Sequence, residues 1–119
     1  MRDHRKLRAF ELADSTVMAV YQVTRLFPRE EQFGLVSQLR RAAVSTATNI
    51  VEGCARNSEA DLLRFLDIAY GSAREVEYQL SVAHRLGFIP EMDFLSVNDL
   101  CAETAKVIHG LIRALRNKP

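Results

Sequence analysis

"LLRFLDIAYGSAREVEYQLSVA", Leu62 to Ala83, decides the fold class. Leu62, Leu66, Ala69, Ala73, Val76, Leu80 and Ala83 recur in alternating steps of four and three residues. That spacing keeps one face of an α-helix apolar over about six turns. A strand would alternate with a period of two, and no such alternation occurs here. Ser58 with Asp61 resembles an N-cap with an acid in the first turn. "HRL" followed by Gly87 reads as a C-terminal stop. The spacing predicts a helix over 58–86.

The flanking segments read the same way. Leu7, Phe10, Ala13, Val17, Val20 and Thr24 form a stripe that ends at Phe27-Pro28, because a proline disfavours helical geometry in the residue before it. This predicts a first helix over 6–27. "REEQFG" is a linker or short turn. A second helix covers 35–56. Pro90 opens a fourth as a first-turn proline, over 91–116, with Phe94, Val97, Cys101, Ala105, Ile108, Ile112 and Leu115 as its stripe. Four helices on short loops predict an all-α, up-down-up-down four-helix bundle, with 1–119 as one domain.

Composition narrows the function classes. The chain has 119 residues, enough for one core without staples. No apolar run approaches the ~20 residues that cross a membrane. "MRDHRKLRAFELAD" is charged throughout and lacks the apolar core of a signal peptide. Cys54 and Cys101 form no CxxC pair and read as small buried thiols. These features point to the cytoplasm, with no membrane partner. The net charge of +1 excludes a strongly basic nucleic-acid binder. The charge is uneven, however. Residues 35–56 hold three arginines against one acid, and residues 57–87 hold three arginines against five acids.

Helix 2 carries an unusual polar stripe. Leu35, Leu39, Ala43, Thr46, Ile50 and Cys54 share one side, while Arg41, Ser45, Asn49, Glu52 and Arg56 fall within ~80° on the other. Small residues flank the stripe: Ala42, Ala43, Ala47 and Gly53. Helix 3 holds a matching pair, Gly71 and Ser72. Folding the two helices back about residue 57 sets Ala42 and Ala43 opposite Gly71 and Ser72, a close helix contact. It also brings Arg41 toward Glu75 or Glu77, within a subunit or across a subunit contact. Glu52 has Arg56 or Arg64 as candidate partners. We read these as structural or interface positions.

"FPREEQFGLVSQLRRAAVSTATNIVEGCARNS", followed by "RFLDIAYGSAREVEYQL" and "LG", resembles the small four-helix bundle proteins encoded in intervening sequences of bacterial 23S ribosomal RNA genes. The match spans roughly Leu7 to Leu115. Arg40, Arg41, Ser45, Asn49, Glu52, Gly53, Arg56, Gly71, Ser72 and Glu75 fall on the family's motif positions. Thr46, Ala47 and Val51 depart from its usual residues. The resemblance implies an all-helical homo-oligomer, a pentameric ring in particular. The family in turn resembles accessory proteins of diversity-generating retroelements, which are basic bundle rings associated with nucleic acid and a reverse transcriptase. It establishes no activity.

The residues offer no catalytic constellation. No histidine sits in the Glu-x-x-His motif of di-iron bundles, and three isolated histidines form no zinc pattern. The five glycines are solitary, which excludes P-loop and dinucleotide fingerprints. Ser45, Ser72 and Cys54 have no histidine base nearby. No cofactor, no metal and no enzymatic role are expected. In the predicted topology one end collects Arg2, Arg5, Lys6, Arg8, Arg56, Arg113, Arg116 and Lys118, partly offset by Asp3, Glu59 and Asp61. Repeated around a ring, that end would bind RNA or another nucleic acid. The alternative is a protein–protein scaffold or partner subunit that touches no nucleic acid. Leu63, Ile68, Tyr70, Tyr78, Phe88, Leu95, Leu100 and Val107 lie outside the four stripes; some are expected to widen the core, and the rest to supply subunit contacts.

Overall fold

A computed structural model describes all 119 residues. They form α1 (Arg8–Thr24), α2 (Leu35–Cys54), α3 (Glu59–Arg85) and α4 (Glu91–Arg116), with no strand. Single 3-10 turns at His4–Lys6 and Arg29–Glu31 precede α1 and α2. Consecutive helices pack against each other, and α4 closes the ring against α1. The cross-links fix antiparallel directions. Arg40 on α2 donates to Thr24 at the end of α1, Ser45 on α2 meets Ser72 on α3, and Arg116 at the end of α4 meets Asp67 near the start of α3. The result is an up-down-up-down rod of 48 × 23 × 19 Å.

Local chemistry sets the helix ends. The Ser58 Oγ accepts the Asp61 amide at 3.1 Å and caps α3. Gly87, at φ 79°, takes the left-handed conformation that ends α3. The Phe88 amide then reaches back to the Ala83 carbonyl at 2.9 Å, the wrap typical of a glycine-terminated helix. Pro90 stands one residue before α4, at its cap, rather than in its first turn. α1 stops at Thr24, three residues short of Phe27. The amides of Leu26 and Phe27 bond to Val23 and Thr24 in a tightened turn as the chain approaches Pro28.

The core lies in two apolar clusters stacked along the rod. One, around Ile50, Leu66 and Ile108, sits toward the chain termini. The other, around Val20, Leu39 and Leu80, fills the opposite half. All seven stripe residues of α3 are buried. Between the clusters lies a buried threonine layer. Thr16 and Thr104 share a hydrogen bond of 2.9 Å between α1 and α4. Thr46 donates to the Ala42 carbonyl of its own helix. Each hydroxyl is satisfied, so the layer costs little to bury.

The α2–α3 contact is close at Gly53, one of the two glycines expected to permit it, and open at the other. At Gly53 a Cβ would meet the Phe65 Cβ at 3.0 Å, the Leu62 Cδ1 at 3.2 Å and the Leu62 carbonyl at 3.3 Å. At Gly71 it would meet nothing within 4 Å. The expectation that Gly71 faces Ala42 and Ala43 is therefore corrected. Residues 55–58 form the non-helical connection, and Ser72 pairs with Ser45, three positions beyond Ala42. Gly71 lies about 200° around α3 from the buried Ala69 and Ala73, so it faces outward. Ala42 and Ala43 are still buried in the core.

Candidate functional site

Two regions were expected to carry function: the polar stripe of α2 and the basic end. On the stripe, the Ser45 and Ser72 hydroxyls lie 2.9 Å apart, either one donating. The Asn49 amide donates to the Ser45 carbonyl at 2.8 Å and to its hydroxyl at 3.0 Å. Two turns away, Gln79 donates to Gln38 on α2 and to Glu75 on its own helix. These groups form a hydrogen-bonded seam that joins α2 to α3. Such a seam specifies register more than it adds stability.

The expected charge pairs across this seam do not form within the chain. Arg41 is exposed and ion-pairs with no carboxylate. Glu77 is held instead by Arg74 of its own helix, at 3.3 Å. It lies on the α4 side, near enough to Cys101 to help keep that thiol protonated. Glu52 pairs with neither Arg56 nor Arg64. Arg64 joins Asp61 at 3.5 Å, and the Arg56 guanidinium lies over the Phe65 ring at 4.8 Å. The cause is helical direction, since Glu75 and Glu77 diverge by about 200° around α3.

At the basic end the termini and helix ends do converge. The Arg2 amide donates to the Cys54 carbonyl at 2.7 Å, tying the N-terminal segment to the end of α2. Half of the cations there are neutralised. Arg5 pairs with Asp3 at 2.9 Å, Arg8 with Glu103 at 3.3 Å, Lys118 with Glu59 at 3.4 Å, and Arg116 with Asp67. Hydrogen bonds from the Arg5 side chain and backbone hold the Asp3 carboxyl below its ordinary range. Arg2, Lys6, Arg56 and Arg113 have no carboxylate partner. Asp67 and Glu103 extend the offset beyond the acids expected from sequence.

No three histidine, cysteine, aspartate or glutamate side chains converge on a metal-sized site. Both cysteines are free and buried. Desolvation pushes the Cys101 thiol up to about 12, and it raises Cys54 as well. Neither is an activated nucleophile. No helix is long and apolar enough to cross a membrane.

Sequence reasoning missed a third region, where the α1–α2 connection meets both helices. A groove of about 480 Å³ is lined by Tyr21, Phe33, Arg40, Arg41 and their neighbours. The Phe33 ring is 90% exposed. The Arg40 guanidinium sits 4.5 Å from the Tyr21 ring centroid and donates to the Thr24 hydroxyl at 2.9 Å. A second cavity of about 250 Å³ shares Gln32, Val36 and Arg40 with the first and adds Arg29. The only sequence signal was a large aromatic, Phe33, outside every helical stripe.

Comparison with known proteins agrees with the helical-bundle fold. No curated protein matches the chain. A crystal structure of a protein of unknown function from the S23 ribosomal protein family of Bacteroides thetaiotaomicron is similar to it, with 26% identity and a TM-score of 0.79. The match covers 88% of this chain and 95% of that one. The profile of the 23S rRNA-intervening sequence proteins matches residues 5–110. With that match over most of its length, the chain belongs to the 23S rRNA-intervening sequence protein family.

Proposed function

We propose that this protein is a non-enzymatic, self-associating four-helix platform that presents binding surfaces and performs no chemistry of its own. The observation that carries this reading is apolar surface left over after the core is complete. Ile68 and Tyr78 on α3 remain 47% and 66% exposed, although the α3 stripe is fully buried. Ile68 and Glu75 lie one turn either side of Ser72, beside the α2 seam. Open Gly71 lies between them, so a neighbouring helix can approach closely. Arg41 is then the cation for Glu75 of another copy. Contacts between unlike surfaces close into rings when the rotation allows. The resemblance noted above favours a pentamer. Light scattering tests the reading: the wild type has a mass above two subunits, and Ile68→Glu with Tyr78→Glu lowers it while the helical circular dichroism is unchanged. A wild-type mass that the double variant leaves unaltered contradicts this contact face.

A second reading rests on Arg2, Lys6, Arg56 and Arg113, the unpaired cations of the basic end. A ring that repeated them on one face would gather enough charge to hold phosphates. In this reading, labelled RNA binds at low salt, and Arg2→Gln with Lys6→Gln and Arg113→Gln flattens the salt dependence. Binding with an unchanged salt slope in that triple variant removes the basic end from the account.

A further inference from the structure

We propose that the groove at the α1–α2 connection is a stacking site for a single-stranded polynucleotide. The inference does not require the basic end to bind anything, and it uses Phe33, Arg29 and Arg40 but not Arg41, the one residue of the groove's lining that also belongs to the proposed subunit contact.

The groove lacks acidic partners for its cations. Arg29 and Arg40 have no carboxylate within ion-pair distance. Glu30 and Glu31 occupy the same turn as Arg29. The Glu31 Oε1 is engaged in accepting the Leu35 amide at 3.2 Å, at the start of α2. Phe33 presents a ring that is 90% exposed, on a backbone held between that turn and α2. One face of the Tyr21 ring is covered by Arg40. The site therefore offers one largely exposed ring, Phe33, and two guanidinium groups without an ion-pair partner, Arg29 and Arg40, along two cavities that share Arg40.

The complementary ligand sets a flat face beside an anionic group. A single-stranded polynucleotide does so, with one base face and one phosphate per nucleotide. Base stacking on an aromatic ring, with guanidinium groups tracking the backbone, is how such strands are held without sequence readout. A duplex hides its base faces and fits the rings poorly. The larger cavity, about 480 Å³, lies within the ~300–1,000 Å³ range of small-ligand sites. Phe33 is the stacking residue, and Arg29 and Arg40 are the phosphate contacts.

Fluorescence anisotropy of the full chain with labelled oligouridylate, oligothymidylate and a DNA duplex tests the site. We expect one or both single strands to bind more tightly than the duplex, and the ratio of the two identifies RNA or DNA as the source. Phe33→Ala should weaken single-strand binding by about tenfold or more. Arg29→Gln should lower the salt slope by about 0.7. Neither variant should change the melting temperature or the mass by light scattering, because both side chains are exposed. Undiminished binding by Phe33→Ala overturns the assignment. So does equal affinity for the duplex, absence of single-strand binding at low salt, or a changed mass in Phe33→Ala, which would make the groove a subunit contact. Loss confined to the Arg2, Lys6 and Arg113 variants also overturns it, in favour of the basic end. The wild-type mass is read separately, so failure of the groove and failure of the platform reading remain distinct.

Discussion

Gly53→Val is expected to destabilise the protein by about 2–3 kcal/mol, the upper part of the range for overpacking a core. A Cβ at this position meets the Phe65 Cβ at 3.0 Å and the Leu62 carbonyl at 3.3 Å. Neither neighbour is the tip of a flexible side chain, so α2 and α3 must separate. The gain in helix propensity over glycine, about 0.5 kcal/mol, is too small to compensate. Gly110→Ala, on α4 and away from the proposed contact face, provides the opposite sign. It faces open space on a helix, so alanine should add about 0.5–1 kcal/mol. Denaturant midpoints at constant slope measure both. Equal effects at the two glycines would mean that the close approach at Gly53 does not exist.

Leu66→Ala is expected to cost about 3–5 kcal/mol, the upper part of the range for buried leucines. Leu66 is fully buried in the cluster nearer the termini. Ala9, Ala13, Ala69, Ala73 and Ala105 belong to the same cluster. Small, stiff neighbours cannot swing in to fill the space, so most of the cavity persists. That cost is a large share of the ~5–15 kcal/mol that holds a domain together. Leu95→Ala, at a half-exposed site on α4, should stay within about 0.5 kcal/mol. Thermal and urea unfolding compare the two. A Leu66→Ala loss no larger than that of Leu95→Ala would contradict the packing described here.

The helices were legible because their seams are strictly periodic. The α3 stripe, Ser58 and Gly87 all act in the structure as their residue types require. Helix ends were less legible: α1 stops at Thr24 because a tightened turn takes over before Pro28, and periodicity carries no record of that turn. Register between helices was the weakest point. The non-helical residues 55–58 shift α3 along α2, so Ser45, rather than Ala42 or Ala43, meets Ser72. Gly71, two residues from both Ala69 and Ala73, sits about 200° from the buried stripe and faces outward, which leaves Gly53 as the tight contact. Charge pairing failed for a related reason. Opposite charge on neighbouring segments said nothing of the angle at which Glu77 leaves α3, and Arg74, three residues away, was the nearer partner. The basic end was found by topology alone, but its neutralisation by Asp67 and Glu103 depended on which long side chains meet across helices. The groove beside Phe33 is built by a turn, and no periodic pattern marks it.

Self-association is the central claim, since the contact face of α3 and the concentration of free cations at one end both depend on it. Light scattering of the wild-type protein at micromolar concentration tests it most directly. The account predicts a single species heavier than two subunits, with a pentamer as the expected ring. A mass of 13.5 kDa, that of one chain, would contradict it.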